Sequence, residues 1–302
     1  MYSIGIDIGG SHITACIFDH VAKKILKESC IYRKVNTKGS KEEILDHWFE
    51  AIDTCRNSMN VKIDGVGIAM PGPFDYYEGI SLIKNVDKLS ALYKVNVRTI
   101  LSKKLELPPS KIRFINDATA FSIAETMVGS ARKYQRVIAI TLGTGLGASF
   151  LEFGKPLIQH SMVPEGGFLY NQTYKGKYAD DLFSTRGILN IYNQICGENI
   201  ENVLKICEQI PQNDCAEKTM RLFGERLGAF LKPYIIKFKA EALVIGGNIA
   251  NAFPFFGSSL KQQLPDITIE ISEFGEESAI IGSALLLEDH YFQEIGETIK
   301  QM

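Results

Sequence analysis

The sequence predicts an α/β protein built from two related lobes, and three observations carry that expectation. IGIDIGGSHITACIF near the N-terminus and IAITLGTGLGASFL in the middle share one plan: apolar strand, small-residue turn, apolar strand. Between and after them, short apolar runs alternate with helical periodicity, the pattern of a mostly parallel sheet. Finally, IRFINDATAF delivers Asn116 and Asp117 from a strand end directly into a helix. A chain of 302 residues is long enough for about two domains.

Taken in order, Tyr2 to Ile8 reads as a buried strand, Gly9-Gly10-Ser11-His12 as a turn and Ile13 to Phe18 as the returning strand. Lys27 to Lys34 is a third strand. Ser40 and Glu43 have capping-box spacing, and Ile44, Leu45, Trp48, Phe49, Ile52, Cys55 and Met59 make one apolar helical face. Trp48 therefore belongs to the core. Ile63 to Met70 is a strand stopped by Pro71-Gly72-Pro73, residues 74–96 are weakly periodic, and Val97 to Leu105 is helical. After the strand from 112 and its helix, Arg136 to Leu142 and Ala148 to Phe153 form the second hairpin. Residues 154–178 are irregular. Helices are expected at about 179–196, 199–209 and 215–239, with Pro233 kinking the last rather than ending it. Leu243 to Ile245 is a strand running into Gly246-Gly247-Asn248. A helix near 250–263, a strand from Ile267 to Ile271 and a helix from Ser278 to Leu287 complete the second lobe. The last residues from His290 are helical and pack back on the first lobe. The expected lobes are 1–115 with 290–302, and 116–289.

Composition narrows the function classes. With 45% hydrophobic and 23% charged residues the chain is an ordinary globular protein, and its net charge of −2 gives no footprint for nucleic acid. No run is long and apolar enough to span a membrane, and nothing at the N-terminus resembles a signal peptide, so the expected location is the cytoplasm. The six cysteines, at 16, 30, 55, 196, 207 and 215, include no CxxC pair and do not suggest a disulfide framework. Cys16 and Cys30 are expected as buried free thiols.

Asp7 is an acid in an otherwise apolar run at the mouth of a glycine turn. Burying a lone carboxylate is costly, so Asp7 belongs either at a solvated strand end or beside a cation. Its plainer reading is a side chain accepting hydrogen bonds from the turn itself. Asp117 likewise reads either as a helix cap or as a carboxylate held near a phosphate by glycine-rich turns.

Six ordered segments, DIGGSH at 7–12, AMPGPFD at 69–75, NDATAF at 116–121, LGTGLG at 142–147, PEGGF at 164–168 and VIGGN at 244–248, resemble the ROK family of sugar kinases and sugar-binding proteins. The resemblance implies an actin-like, ribonuclease H-like pair of α/β lobes that binds ATP and a sugar. It implies that Asp117 is the catalytic base and that Asn116, Glu165 and Asn85 are sugar ligands. Asp7 is then the acid associated with magnesium at the phosphates. Gly9, Gly10 and Ser11 match one phosphate loop and Gly143, Thr144 and Gly145 the other, while Gly246 and Gly247 resemble the turn beside the nucleotide.

Where many members have a sugar-binding glutamate, the spacing of ADDLFSTRGI puts Asp180, with Asp181 as a competing placement. Many members also have histidine at the position of Phe168 and a following cysteine cluster that binds structural zinc. Neither is present in PEGGFLYNQTYKGKYADDLFS, so no zinc is expected. His12 stands where many of the kinases have lysine. The implied activity is ATP-dependent phosphorylation of a hexose, glucose at O6 first, with an N-acetylmannosamine or N-acetylglucosamine kinase as the alternative. A non-catalytic sugar-binding regulator is the reading of another class. Magnesium is the implied cofactor, polyphosphate an alternative donor, and a homodimer the implied assembly, with no nucleic acid or membrane partner.

Overall fold

The apolar run YSIGIDI forms the first strand, β1 (Tyr2–Ile8), which turns at 9–11 into antiparallel β2 (His12–Asp19) and then β3 (Lys24–Lys34). The computed structural model that shows this describes residues 1–84 and 88–302. Ser40 accepts the backbone N–H of Glu43 and so starts α1 (Lys41–Asn57), which buries Ile44, Leu45, Trp48, Ile52 and Cys55. β4 (Ile63–Met70) follows, then the two-residue strands β5 (Phe74–Asp75) and β6 (Ile80–Ser81) and helix α2 (Val97–Leu105). β7 (Ile112–Asn116) passes without a loop into α3 (Asp117–Met127). The first sheet has the order β3-β2-β1-β4-β7, with β1, β4 and β7 mutually parallel.

The second sheet repeats the plan. β8 (Arg136–Leu142), β9 (Leu146–Glu152) and the short β10 (Lys155–Pro156) are antiparallel neighbours. A small hairpin of β11 (Thr173–Tyr174) and β12 (Lys177–Tyr178) precedes four helices. These are α4 (Ala179–Leu182), α5 (Thr185–Cys196), α6 (Val203–Glu208) and the long α7 (Asp214–Phe238), which runs through Pro233. β13 (Ala242–Gly246), α8 (Phe253–Gln263) and β14 (Thr268–Ile271) complete the order β10-β9-β8-β13-β14, with β8, β13 and β14 parallel. Each sheet is thus three antiparallel strands followed by two parallel ones. The repeat seen in the sequence is a repeat of topology.

The chain ends in α9 (Ser278–Leu285) and α10 (Asp289–Gln301). One unit comprises Met1–Ala124 with Glu276–Met302, the other Glu125–Gly275. This division moves 116–124 and 276–289 into the first unit, away from the expected boundaries. The reason lies in the glycines of the first sheet. A Cβ on Gly67 would lie 1.8 Å from the Ser283 carbonyl oxygen, and one on Gly5 would lie 2.1 Å from that of Ile280. α9 therefore rests its backbone directly on β1 and β4. The Ser283 hydroxyl also accepts the Ile6 N–H at 3.1 Å, while its one proton faces the Ile280 carbonyl at 2.9 Å and the Ile6 carbonyl at 3.2 Å.

Two further expectations are corrected. Cys16 and Cys30 are joined in a disulfide between β2 and β3, their Cα atoms 4.3 Å apart. A register shift in the β2–β3 pairing between Ala15 and Ile17 brings them together, and the spacing of 14 residues gives no hint of it. Cys196 and Cys215 link the end of α5 to the start of α7, whereas Cys55 and Cys207 are free. The helix expected over 179–196 is broken at Phe183 and Ser184, where Ser184 is extended. The break has a use at the glycine turn described below.

Candidate functional site

In the first unit, β7 ends at Asn116 and α3 begins at Asp117, so both side chains sit where helix N–H groups are unpartnered. Asn116 does the capping: its Oδ1 accepts from the Thr119 N–H at 3.2 Å. Its Nδ2 donates to Asp117 Oδ1 at 2.9 Å and lies 3.5 Å from the Tyr76 hydroxyl, which itself donates to the Met70 carbonyl. Asp117 Oδ1 also accepts the Ala118 N–H at 2.8 Å. One carboxylate oxygen is thereby fixed by two donors, which orients the other. Burial pushes the Asp117 carboxyl up against the opposing pull of those hydrogen bonds.

Asp7, near the end of β1, is pushed up to about 7 by burial first and then by the charges of Asp117 and Glu276. It is a half-buried acid facing acids. Beside the turn after β1 lies a cavity of about 350 Å³, lined by Ile8, Gly9, Gly10, Pro71, Gly72, Ile83, Lys88, Leu89 and Asp117. Gly9 closes the turn by donating its N–H to the His12 carbonyl at 3.0 Å. The His12 ring lies over Gly9 and stacks on Tyr32, centroids 5.2 Å apart. The N–H groups of Gly10 and Ser11 make no hydrogen bond among the described residues.

In the second unit, the turn between β8 and β9 is gripped from behind. Gly143 donates to the Gly145 carbonyl at 3.1 Å, while the Gly143 carbonyl accepts from both the N–H and the hydroxyl of Thr185, at 2.8 and 3.0 Å. Asp180 Oδ1 accepts the Leu146 N–H at 2.8 Å, and Oδ2 pairs with Arg186 at 2.9 Å. A Cβ on Gly145 would meet Asp180 Oδ1 at 2.8 Å, so glycine is needed for that approach. The break at Ser184 is what turns Thr185 toward Gly143. A Cβ on Gly143 meets nothing within 4 Å, and the Thr144 and Gly145 N–H groups make no hydrogen bond among the described residues. Gly246 pairs with Thr141, and Gly247, at φ +78°, places its Cα where a Cβ would lie 2.4 Å from the Leu142 carbonyl oxygen. The two glycine turns of this unit are therefore neighbours.

Glu165 is exposed on its own short turn, Glu165–Gly167, beside Phe168, whose ring lies 5.5 Å from that of Tyr170. The β11–β12 hairpin is anchored by Tyr174 against Phe183 and Phe230, at 5.8 and 5.9 Å. Among the described residues no group of three or more His, Cys, Asp or Glu is placed to hold a metal ion, and no helix is long and apolar enough to cross a membrane. Asn85 lies outside the described residues. Within the first unit the structure brings together Asp7, Gly9, Gly10, Asn116 and Asp117. Within the second it brings together Gly143, Thr144, Gly145, Asp180, Gly246 and Gly247. Sequence reasoning missed Thr185, Tyr76 and Lys88: single residues outside any motif, recognisable only once the turns they touch are folded.

The family model described as "ROK family" matches residues 3–290. The chain belongs to the ROK family. Among ROK relatives, an N-acetyl-D-glucosamine kinase of Haemophilus influenzae is 25% identical over 284 residues, covering 86% of this chain and 88% of its own. A glucokinase of Thermotoga maritima is 23% identical over 317 residues, covering 95% and 97%. The crystal structure of a ROK family glucokinase from Streptomyces griseus, in complex with glucose and AMPPNP, superposes with a TM-score of 0.73. It is 21% identical, over 95% of this chain and 99% of that one. The fold is the one shared by the ROK kinases, the actin-like ATPase fold.

Proposed function

We propose that this ROK chain is an ATP-dependent sugar kinase that transfers the terminal phosphoryl group of ATP to a hexose hydroxyl, O6 of glucose first. Sugar-kinase activity is supported by family membership and by the activities named for the relatives. The observation that carries the chemistry is Asp117. A half-buried carboxylate with one oxygen tied to Asn116 and Ala118 presents the other as a proton acceptor. Its raised pKa makes it a stronger base than an ordinary aspartate.

In each unit taken by itself, the turn N–H groups that make no hydrogen bond among the described residues, Gly10 and Ser11 in the first and Thr144 and Gly145 in the second, suit phosphate oxygens, where side chains would obstruct close approach. Gly246 and Gly247 would lie beside the nucleotide. Asp7, whose strongest electrostatic neighbours are other acids, has the chemistry to hold a divalent cation directly or through water. Magnesium, when bound, neutralises charge on the phosphates. Glu165 and Asn85 would contact sugar hydroxyls. Asn116 acts on the sugar chiefly by orienting Asp117, and Asp180 is available to sugar only insofar as it leaves Leu146 and Arg186. The protein is expected to work as a homodimer in the cytoplasm.

An N-acetylhexosamine is the second acceptor class. The Phe168 and Tyr170 rings beside Glu165 give the apolar surface an acetyl methyl would favour. The experiment is Asp117→Asn, assayed by coupled ADP release on glucose, mannose, glucosamine and their N-acetyl forms, with ATP or polyphosphate as donor. The amide keeps both hydrogen bonds to Oδ1 but accepts no proton, so kcat should fall roughly 10²–10⁴-fold while the sugar dissociation constant changes little. Transfer at the parental rate would sink the base assignment. Saturable sugar binding without product from the parent protein would favour the regulator.

A further inference from the structure

The glycine turn after β1 offers a phosphate backbone N–H groups but no cation of its own, because the His12 ring is turned onto Tyr32 and does not line the cavity. A cation reaches the turn from elsewhere. An ideal Cβ on Gly10 would lie 2.6 Å from Lys88 Nζ, 3.0 Å from its Cδ and 3.3 Å from its Cε, so the lysine side chain lies across the bare face of Gly10. Among the described residues lining the cavity that also contains Asp117, Lys88 alone is cationic. It makes no ion pair among the described residues.

The backbone holds it there. The Thr37 hydroxyl donates to the Gly10 carbonyl at 3.1 Å, and the Thr37 carbonyl accepts the Leu89 N–H at 2.7 Å. Val35 donates to the Ser11 carbonyl at 2.9 Å. Leu89 itself is buried and left-handed, at φ +60°. One threonine therefore ties the residue after Lys88 to the glycine turn, and the absence of a Cβ at Gly10 admits the side chain.

We propose that Lys88 is a catalytic residue whose ammonium contacts the non-bridging oxygens of the phosphoryl group being transferred. The inference rests on the sugar-kinase reading and extends it to a residue outside every motif of the sequence. In the step, the sugar hydroxyl oxygen forms a bond to the γ-phosphorus and its proton passes to Asp117. The bond from that phosphorus to the β–γ bridging oxygen breaks, and its electron pair leaves with ADP. Charge on the three non-bridging oxygens is what a fixed ammonium stabilises.

The test uses the full chain with Lys88→Met and Lys88→Arg. AMPPNP and ADP, each with magnesium, are titrated calorimetrically, and kcat and KM are measured with ATP on glucose and on N-acetylglucosamine. Loss of one charge-assisted contact should weaken AMPPNP binding and lower kcat by roughly ten- to a hundredfold. ADP, which lacks the γ-phosphoryl group, should bind the Met variant within about twofold of the parent, by the same accounting, and Arg should restore most of the loss. Equal weakening of AMPPNP and ADP, no change in either, or an effect confined to the sugar KM would each overturn the proposal. The nucleotide titrations need no turnover. An Asp117→Asn enzyme at parental rate would therefore remove the base while leaving the Lys88 contact to stand or fall on AMPPNP against ADP.

Discussion

Gly67→Ala tests how the first unit is held together. The added Cβ would sit 1.8 Å from the Ser283 carbonyl oxygen and 2.4 Å from its carbon. Restoring a contact near 3.3 Å requires α9 to retreat by about 1.5 Å, since carbon cannot approach backbone more closely without steep repulsion. The Ile6 N–H then loses the Ser283 hydroxyl, because a contact of 3.1 Å stretched that far is no longer a hydrogen bond. That buried hydrogen bond contributes about 0.5–1.5 kcal/mol, and the overpacked layer costs about 1–3 kcal/mol more. The expected loss is therefore about 1.5–4.5 kcal/mol, a large part of a domain's stability.

The protein's single tryptophan, Trp48, is fully buried in the same unit, so its fluorescence during guanidinium unfolding reads this unit directly. Gly296→Ala in α10 is the control, because a Cβ there meets nothing within 4 Å. It should stabilise by about 0.5–1 kcal/mol, since alanine is the better helix former. A Gly67→Ala midpoint indistinguishable from the parent, with unchanged slope, would refute the idea that α9 rests on bare strand backbone.

Asp7→Asn should change how stability depends on pH. Burial pushes the folded carboxyl up to about 7, whereas an aspartate in the unfolded chain keeps its ordinary value of 3.8, so between those values the folded state holds a proton that the unfolded chain has lost. Stability contributed by that protonation is present below about pH 4 and lost as pH rises to about 7, by up to about 4 kcal/mol. The asparagine variant should lack this decline, and parallel curves for the two proteins, read by Trp48 fluorescence, would dismiss it. Asp180→Ala strips the acceptor from Leu146 N–H and should raise the KM for ATP roughly tenfold, with Asp180→Asn much milder because its amide oxygen still accepts that N–H. A rise in the sugar KM alone would return Asp180 to the sugar.

The hairpins, the Ser40 cap and the passage from β7 into α3 were legible because local rules decide them: an apolar run, a glycine turn, a capping side chain. The matching topology of the two sheets was visible in the paired strand–turn–strand segments for the same reason. Long-range contacts decide the remainder. Nothing near Ser278 announces that its helix packs on β1, since the cue is the absence of side chains at Gly5 and Gly67, far away in the chain. The Cys16–Cys30 pairing depends on a register shift, and the break before Thr185 on a bond to a turn about 40 residues earlier. Among the site residues, motifs pointed to Asp7, Asp117 and the glycines. They were silent on Lys88, whose place is set through Thr37, and on Asp180 as a clasp of the Gly145–Leu146 peptide.

The bare strand backbone under α9 also constrains the order of events during synthesis. The sheet that carries Asp7 and delivers Asp117 is complete in sequence by Asn116, yet the helix that covers it is made only after Glu125–Gly275 has been translated. At about 5–20 residues per second, the nascent sheet waits on the order of ten to thirty seconds for its lid. Through that interval the face of β1 and β4 that α9 will cover, with Ser3, Gly5 and Gly67 on it, stands open, while the unit made later is contiguous in sequence. The unit that carries Asp7 and Asp117 is therefore the later of the two to be completed in sequence.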